Sequence, residues 1–466
     1  MEKIHFIGIG GIGMSALADI ALATGDVVSG SDLRGNNLTD KLAGKGAGIY
    51  EGHLASNLSN DVDLVVKSAS IKDNNPEIVK AKELGIPVLM RSEMLKKVLD
   101  GIGFSVAVTG THGKTTTSAL VAHIFEYCGK DPTVIVGGEI DTLGGNSKFG
   151  NGDILVAEID ESDGYFRDIS AKSAVITNVE REHMETYGTI ENLIAAYEDF
   201  ISKISPEGFL VFNGEDNNLR NMVKAAGTRT VSFGIGKDFD VTCCNATWAS
   251  CIEFDLIIDG GLSGKVESSL IGRYNVMNIL AAISACGEMG LNAREIIKAI
   301  KAYRGVKRRF ESMGKTGGIE VIEDYAHHPT EIKAVINAAK NYVCGRLIAV
   351  FQPHKYSRTK DLMEEFSECF FGADILVLSD IYSADEDVIQ GVVGEELYGR
   401  IDKTRFEKAV FLRKENIPDA MVDIVEENDL VLILGAGNIR EIGPKILSKL
   451  SGNTPGGSPR IGDKRL

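Results

Sequence analysis

Over the first hundred residues, short apolar runs (KIHFIGIG, DVVSGSD, DVDLVVKSAS and IPVLM) alternate with stretches whose apolar positions recur every three to four residues, near 13–24 and 76–84. The first pattern predicts strands and the second helices, and their alternation predicts a parallel sheet wound with helices. A second such unit starts at FSVAVTG, continues through the helix after Lys114, and includes DILVAEID and SAVITNV, two strands ending in polar residues. Ligands of parallel sheets sit at the carboxyl ends of the strands, where these polar residues fall. Residues 228–272 are rich in β-branched side chains and predict antiparallel strands; NVMNILAAISACGEMG and AREIIKAIKAY then predict helices. A third α/β unit begins near Glu311, with IEVIEDYA, RLIAVFQP, DILVLSD and DLVLILGAG as its strands. The expected fold class is therefore α/β in three domains, 1–100, 101–310 and 311–450. The Gly-, Pro- and Ser-rich residues 451–466 predict a flexible tail.

Length agrees, since 466 residues exceed what one core normally organises. A formal charge of −16 weighs against a nucleic-acid partner, because neutralising a phosphate backbone requires a basic surface. An anionic ligand would have to be met locally, by helix N-termini, a few Arg and Lys, or a metal ion. No apolar run approaches the ~20 residues of a membrane span. MEKIHFIG enters a strand at once without a leader-like segment, so the expected location is the cytoplasm. Cys128, Cys243, Cys244, Cys251, Cys286, Cys344 and Cys369 form no C-x-x-C pair and read as reduced thiols.

Two glycine turns carry the candidate chemistry. Gly8, Gly10 and Gly13 fit G-x-G-x-x-G between a strand and a helix, and Asp32 closes the next strand, where a dinucleotide fold places a ribose-binding acid. Such a turn lets backbone amides at a helix start meet a pyrophosphate, and it serves NAD as well as a UDP-sugar. The second turn, TGTHGKTTT, holds Gly113-Lys114-Thr115, but Val108 stands where a standard P-loop has its first glycine, and Gly110 shortens the loop. Lys114 can still reach β/γ-phosphates, Thr115 can ligate Mg²⁺, and the amides after Gly110 can hold anionic oxygens. VAEIDESDGYF adds Glu158, Asp160, Glu161 and Asp163 at a strand end. Glu158 follows ILVA directly, where a carboxylate needs a cationic partner; Asp163 reads equally as part of a solvated face. His183, after another strand end, reads alone as structural or as a ligand.

Taken together, GIGGIGMS, TGTHGKTTT, EIDESDG, TNVEREHMETY, IGRYNVMNILAA, YRGVKRRFE, EDYAHHPTE and FQPHKYSRT resemble the Mur ligases, in the family's order and over residues 1 to about 450. The resemblance implies an N-terminal Rossmann-like UDP-binding domain, a central P-loop ATPase-like domain and a C-terminal Rossmann-like domain. It implies ATP-dependent joining of L-alanine to the lactyl carboxylate of UDP-N-acetylmuramate through an acyl phosphate and a tetrahedral intermediate. ATP and Mg²⁺ (or Mn²⁺) would be the cofactors, these two small molecules the substrates, and a monomer or homodimer the working form. The family places the UDP-sugar at Gly10, Gly11, Ile12, Gly13, Met14, Ser15, Asp32 and His53. Tyr325, His327, His354, Lys355 and Arg358 would serve the muramate and its carboxylate. ATP would contact Gly110, Thr111, His112, Gly113, Lys114, Thr115, Thr116, Asn275, Asn278, Arg309 and Asp324. Thr115, Glu158 and His183 would be the metal ligands, and Lys114, Glu158, His183, His327 and Arg358 would carry the chemistry. Three departures stand out: Lys355 where the family more often has Arg, Lys67 where a small residue is typical, and the unusual DIYSADEDVIQGV.

Overall fold

The computed structural model describes residues 1–384 and 386–452. Nearly all of the expected tail lies outside the described residues. The chain divides into two compact units, one made of 1–246, 253–268 and 275–306, the other of 247–252, 269–274 and the residues from 307 onward. The first expected domain and most of the second thus fall in one unit, in which they keep separate sheets, while 247–252, 269–274 and 307–310 of the second fall in the other.

The first sheet is built from β1 (Lys3–Ile7), β2 (Val27–Asp32), β3 (Gly48–Glu51), β4 (Leu64–Lys67) and β5 (Val88–Met90), in the order β3-β2-β1-β4-β5. All its pairings are parallel. Helices α1 (Ile12–Ala23), α2 (Asn37–Gly44), α3 (Pro76–Leu84) and α4 (Arg91–Gly101) connect the strands. Local chemistry sets their ends. Asn36 and Thr39 form a reciprocal capping box for α2, and α3 starts at Pro76 behind the Asn75 cap and stops at left-handed Gly85. Ile4, Phe6, Leu17, Ile20 and Val66 fill the core between sheet and helices, each such side chain contributing roughly 1.5–3 kcal/mol.

The second sheet comprises β6 (Phe104–Thr109), β7 (Thr133–Ile140), β8 (Gly145–Lys148), β9 (Ile154–Glu158), β10 (Ser173–Ile176), β11 (Phe209–Asn213), β12 (Arg229–Ile235), β13 (Val241–Thr247), β14 (Ile252–Ile258) and β15 (Gly261–Ser268). Their order is β15-β14-β13-β12-β11-β10-β6-β9-β7-β8, with α5 (Lys114–Tyr127) following β6. Helix α5 is buried from Thr115 to Phe125, so it lies in the core rather than on it. One expectation is corrected: β12 pairs in parallel with both β11 and β13 rather than antiparallel. β-Branched residues make an extended chain, but strand direction comes from the neighbour it joins.

The third sheet belongs to the second unit. It orders β16 (Glu311–Thr316), β17 (Ile319–Asp324), β18 (Leu347–Phe351), β19 (Ile375–Leu378), β20 (Lys408–Phe411) and β21 (Leu430–Leu434) as β16-β17-β21-β18-β19-β20. Only β16 and β17 pair antiparallel.

Candidate active site

In the first unit, the turn after β1 places Gly10, Gly11, Ile12, Gly13, Met14 and Ser15 at the start of α1, with Met14 and Ser15 buried. Asp32, at the carboxyl end of β2, accepts from the Gly10 amide at 2.9 Å, and Asn36 Nδ2 donates to Gly10 O at 3.0 Å. Gly13 lies against the Arg91 side chain. A Cβ there would lie 2.9 Å from Arg91 Nη1 and 3.2 Å from its Cδ. His53 is held by a buried network: its Nδ1 lies 2.9 Å from Ser31 Oγ, which donates to Glu77 Oε2 at 2.6 Å. Asn57 donates to the other Glu77 oxygen at 2.7 Å. Burial works to raise the Glu77 carboxyl, but hydrogen bonding from His5, Ser31 and Asn57 outweighs it and holds the group below its ordinary value. Lys67 donates to Asp73 at 2.8 Å, so a local acid takes up this unusual cation.

The second turn sits between β6 and α5. Gly110 has φ +128°, and a Cβ there would collide with Thr177 Oγ1, so only glycine fits. Thr177 and Asn178, just past β10, clamp the loop: Asn178 Oδ1 accepts from the His112 amide at 2.8 Å, and Thr177 Oγ1 donates to His112 O at 2.6 Å. Thr111 N donates to Asn178 O at 3.0 Å. Lys114 Nζ donates to Gly110 O at 2.6 Å, Thr111 O at 3.1 Å and Glu161 Oε1 at 3.0 Å. Burial works to lower the Lys114 ammonium, yet Glu161 and Asp160 hold it well above its ordinary value; burial pushes Glu161 itself up. Thr116 is buried in the first turn of α5.

Thr115 Oγ1 donates to Glu158 Oε1 at 3.0 Å, and Glu158 Oε2 accepts from Gly137 N at 2.6 Å and Ser118 Oγ at 3.4 Å. A hydroxyl beside a carboxylate is a hard-oxygen pair suited to Mg²⁺, so these two residues fit that ion. His183, the third expected ligand, lies instead with Nε2 at 3.7 Å from Glu161 Oε1, and it adopts a left-handed φ of 57°. Burial works to lower the imidazolium, but Glu185, Glu182, Glu161 and Asp160 raise it above its ordinary value. Helices α6 (Met184–Tyr187), α7 (Ile190–Ser202) and α8 (Asn217–Met222) lead to α9 (Arg273–Glu288). From α9, Asn278 faces the loop: its Oδ1 accepts from Thr117 at 3.2 Å, and its Nδ2 donates to Asn275 Oδ1 at 3.1 Å. A Cβ on Gly113 would lie 2.5 Å from that Asn278 Oδ1. The expected Asn pair and the glycine turn are thus assembled together.

In the second unit the candidate residues gather at the carboxyl ends of β17 and β18. Arg308 and Arg309 lie over the Tyr325 ring with Cζ 4.5 and 5.2 Å from its centroid. Arg308 Nε donates to buried Glu323 at 2.7 Å. Asp324 accepts from Phe310 N at 2.8 Å and Ala326 N at 2.7 Å, while burial pushes its carboxyl up to about 6 against the pull of Arg309. The rings of Tyr325 and His327 are 5.3 Å apart, and those of His327 and His354 are 6.0 Å apart. Burial, then His327, Arg358 and Lys355, press His354 down to about 3, so it is neutral near pH 7. Arg358 Nη1 lies 3.4 Å from His354 Nδ1. Lys355 has a left-handed φ of 73° and precedes the short helix 356–361. The unusual 381–392 segment contributes here. Tyr382 stacks on His354 at 5.6 Å, and Glu386 accepts from Ser357 N at 3.0 Å and Oγ at 2.6 Å. Asp385 lies outside the described residues.

Sequence reasoning missed Arg91, Asn36, Glu77, Thr177 and the pairing of Glu161 with Lys114. Two of these had a readable signal. Thr177-Asn178 is a polar pair directly after an apolar strand, and Arg91 follows IPVLM at another strand end.

Family models match in chain order: the Mur ligase family catalytic domain over residues 3–101, the Mur ligase middle domain over 108–286, and the Mur ligase glutamate ligase domain over 308–437. The UDP-N-acetylmuramate–L-alanine ligase of Geotalea uraniireducens is 41% identical over 456 residues, covering 97% of this chain and 99% of the relative. Its counterpart in Geobacter sulfurreducens is 42% identical over 454 residues, 97% of this chain and 98% of the relative. The crystal structure of the Thermotoga maritima UDP-N-acetylmuramate–alanine ligase MurC superposes with TM-score 0.82 and 31% identity, covering 96% of this chain and 99% of that one. A Psychrobacter arcticus murein peptide ligase, at 23% identity and TM-score 0.74 over 97% and 100% of the chains, shares the fold. With two glycine turns at separate strand ends and all three family domains matched in order, this chain belongs to the Mur ligase family.

Proposed function

We propose that the chain joins L-alanine to the lactyl carboxylate of UDP-N-acetylmuramate with cleavage of ATP to ADP and phosphate, the first amino-acid addition to a peptidoglycan precursor. The observation that carries this reading is likeness to alanine-adding ligases over 97% of the chain. Gly10, Gly11, Ile12, Gly13, Met14 and Ser15 present α1 to the UDP pyrophosphate, with Asp32 and His53 beside it. Gly110 to Thr116 receive the triphosphate, Lys114 reaching the β- and γ-phosphates, while Asn275, Asn278, Arg309 and Asp324 serve the nucleoside and remaining phosphate contacts.

A carboxylate is a poor electrophile, so its oxygen first attacks the γ-phosphorus and ADP departs. The acyl phosphate then has a good leaving group. The amine of alanine adds to the acyl carbon, the tetrahedral adduct loses phosphate, and the ammonium proton is lost. Lys114 balances charge on the moving phosphoryl group, while Tyr325, His327, His354, Lys355 and Arg358 orient the muramate and its carboxylate. Mg²⁺, or Mn²⁺, would be held by Thr115 and Glu158, without the His183 that the family resemblance adds, and would supply neutralisation of the triphosphate. A neutral His354 beside Arg358 adds no further positive charge to this cluster. These substrates are soluble sugar nucleotides and amino acids, and the cytoplasm is where the chain works.

The test is phosphate release with ATP, Mg²⁺ and UDP-N-acetylmuramate, each amino acid being added in turn. Release should depend on alanine and yield a product heavier by one alanyl residue. Release independent of any amino acid would make the chain an ATPase or kinase. Release with a tripeptide but not with alanine would make it a recycling ligase.

A further inference from the structure

Arg91 opens α4 directly after β5 and touches both glycine turns' surroundings within the first unit. On one side its guanidinium lies along Gly13, 2.9 Å from where a Cβ would stand. On the other, Nη2 lies 3.2 Å from Asp160 Oδ2 and 3.5 Å from Asp163 Oδ2. Asp160 adjoins Glu161, whose Oε2 is 2.9 Å from Lys114 Nζ. A continuous path of charge thus runs from the first turn of α1, through one guanidinium, to the lysine of the second turn. The arginine side chain is 22% exposed and Asp163 5%, so solvent screens that pair weakly, whereas Asp160, 37% exposed, is screened more. Arg91 is not needed merely to fasten the two sheets. Asn146 of β8 donates to Ile12 O at 2.7 Å and Ser147 to Asp19 at 2.9 Å, which already dock α1.

We propose that Arg91 is a positioning residue that couples the two nucleotide sites. A pyrophosphate at the first turn of α1 draws on the guanidinium, and Asp160 and Asp163, relieved of that partner, favour the cation that travels with a nucleoside triphosphate. The UDP-sugar therefore tightens binding of Mg²⁺-nucleotide, and by linkage the nucleotide tightens binding of the sugar by the same factor. The inference rests on the assignment of the two turns under the proposed function.

Calorimetry on the full chain tests it, with UDP-N-acetylmuramate and the Mg²⁺ complex of a non-hydrolysable ATP analogue as probes. The Kd of the analogue should fall about 5- to 100-fold when the sugar nucleotide is saturating. In Arg91→Met the ratio should return to within about twofold of one, and Arg91→Lys, a point charge without the fork, should lie between. Asp163→Asn keeps the shape, removes one partner and should lower the ratio even if the Met variant folds poorly. A purely structural Arg91 would shift melting temperature and both affinities while leaving the ratio unchanged; that result, or a wild-type ratio of one, overturns the coupling. Wild-type chain that ligates alanine without coupling defeats this inference alone, whereas failure to bind UDP-N-acetylmuramate defeats it together with the functional reading.

Discussion

Lys114 is fixed by two carbonyl oxygens of its own loop and by the buried carboxylate of Glu161. Removing one member of such a pair leaves a charge in a poor dielectric, at a cost of about 3–5 kcal/mol. Lys114→Met should therefore abolish alanine-dependent phosphate release and also lower the urea midpoint. Adding Glu161→Gln should restore much of the midpoint and none of the turnover, a non-additivity readable as a double-mutant cycle. UDP-N-acetylmuramate affinity of Lys114→Met should stay within a few-fold of wild type, since the other glycine turn does not use this side chain. Gly110→Ala should cost about 1–3 kcal/mol from backbone strain alone, with further loss from Thr177. Lys114 and Thr115 were legible because Gly-Lys-Thr sits at a strand-to-helix switch. Glu161 was visible only as one acid in a run, because its choice between solvent and Lys114 depends on the start of a helix 47 positions away.

At the level of elements, alternation and caps made most strands and helices readable. Pro76 and Gly85 bracket α3 as their backbone preferences require. The β7–β8 hairpin and the direction of β12 were not readable, since both follow from partners rather than from local pattern. The ends of β17 and β18 carry opposed titrations. Asp324, at about 6 when folded against 3.8 ordinarily, binds its proton more tightly in the native state, so its contribution to stability declines as pH rises from about 4 to 6. His354, at about 3 against 6.5 ordinarily, binds its proton less tightly when folded, so stability is lost as pH falls from about 6.5 towards 3. His327, Arg358, Lys355 and Arg308 face it and reinforce that loss. Relative to wild type, Asp324→Asn should thus gain urea resistance on going from pH 4 to 6.5, and His354→Gln on going from pH 7 to 4. Parallel slopes for variant and wild type would contradict either assignment.

For the whole molecule, family and reaction class were legible from motifs spread over nearly the full length. Compact partition was not, because it depends on contacts such as Asn146 to the start of α1, which no periodicity announces. Division of labour between the two units gives a kinetic expectation. Arg358→Ala, in the second unit, should raise KM for UDP-N-acetylmuramate by about tenfold or more, the size expected when a charged hydrogen bond is lost, while changing KM for ATP little. An equal rise in both would argue against its place at the muramate carboxylate.

Because the ammonium of Lys114 is already matched by a carboxylate, the turn presents small anions with a nearly neutral face. Inorganic phosphate or sulfate arriving without a metal would have to strip Glu161 of its partner and offer nothing in exchange. Such ions should therefore be feeble competitors of ATP even at millimolar concentration, and the chain should discriminate between a lone oxyanion and one that carries its own cation before any recognition of the base begins.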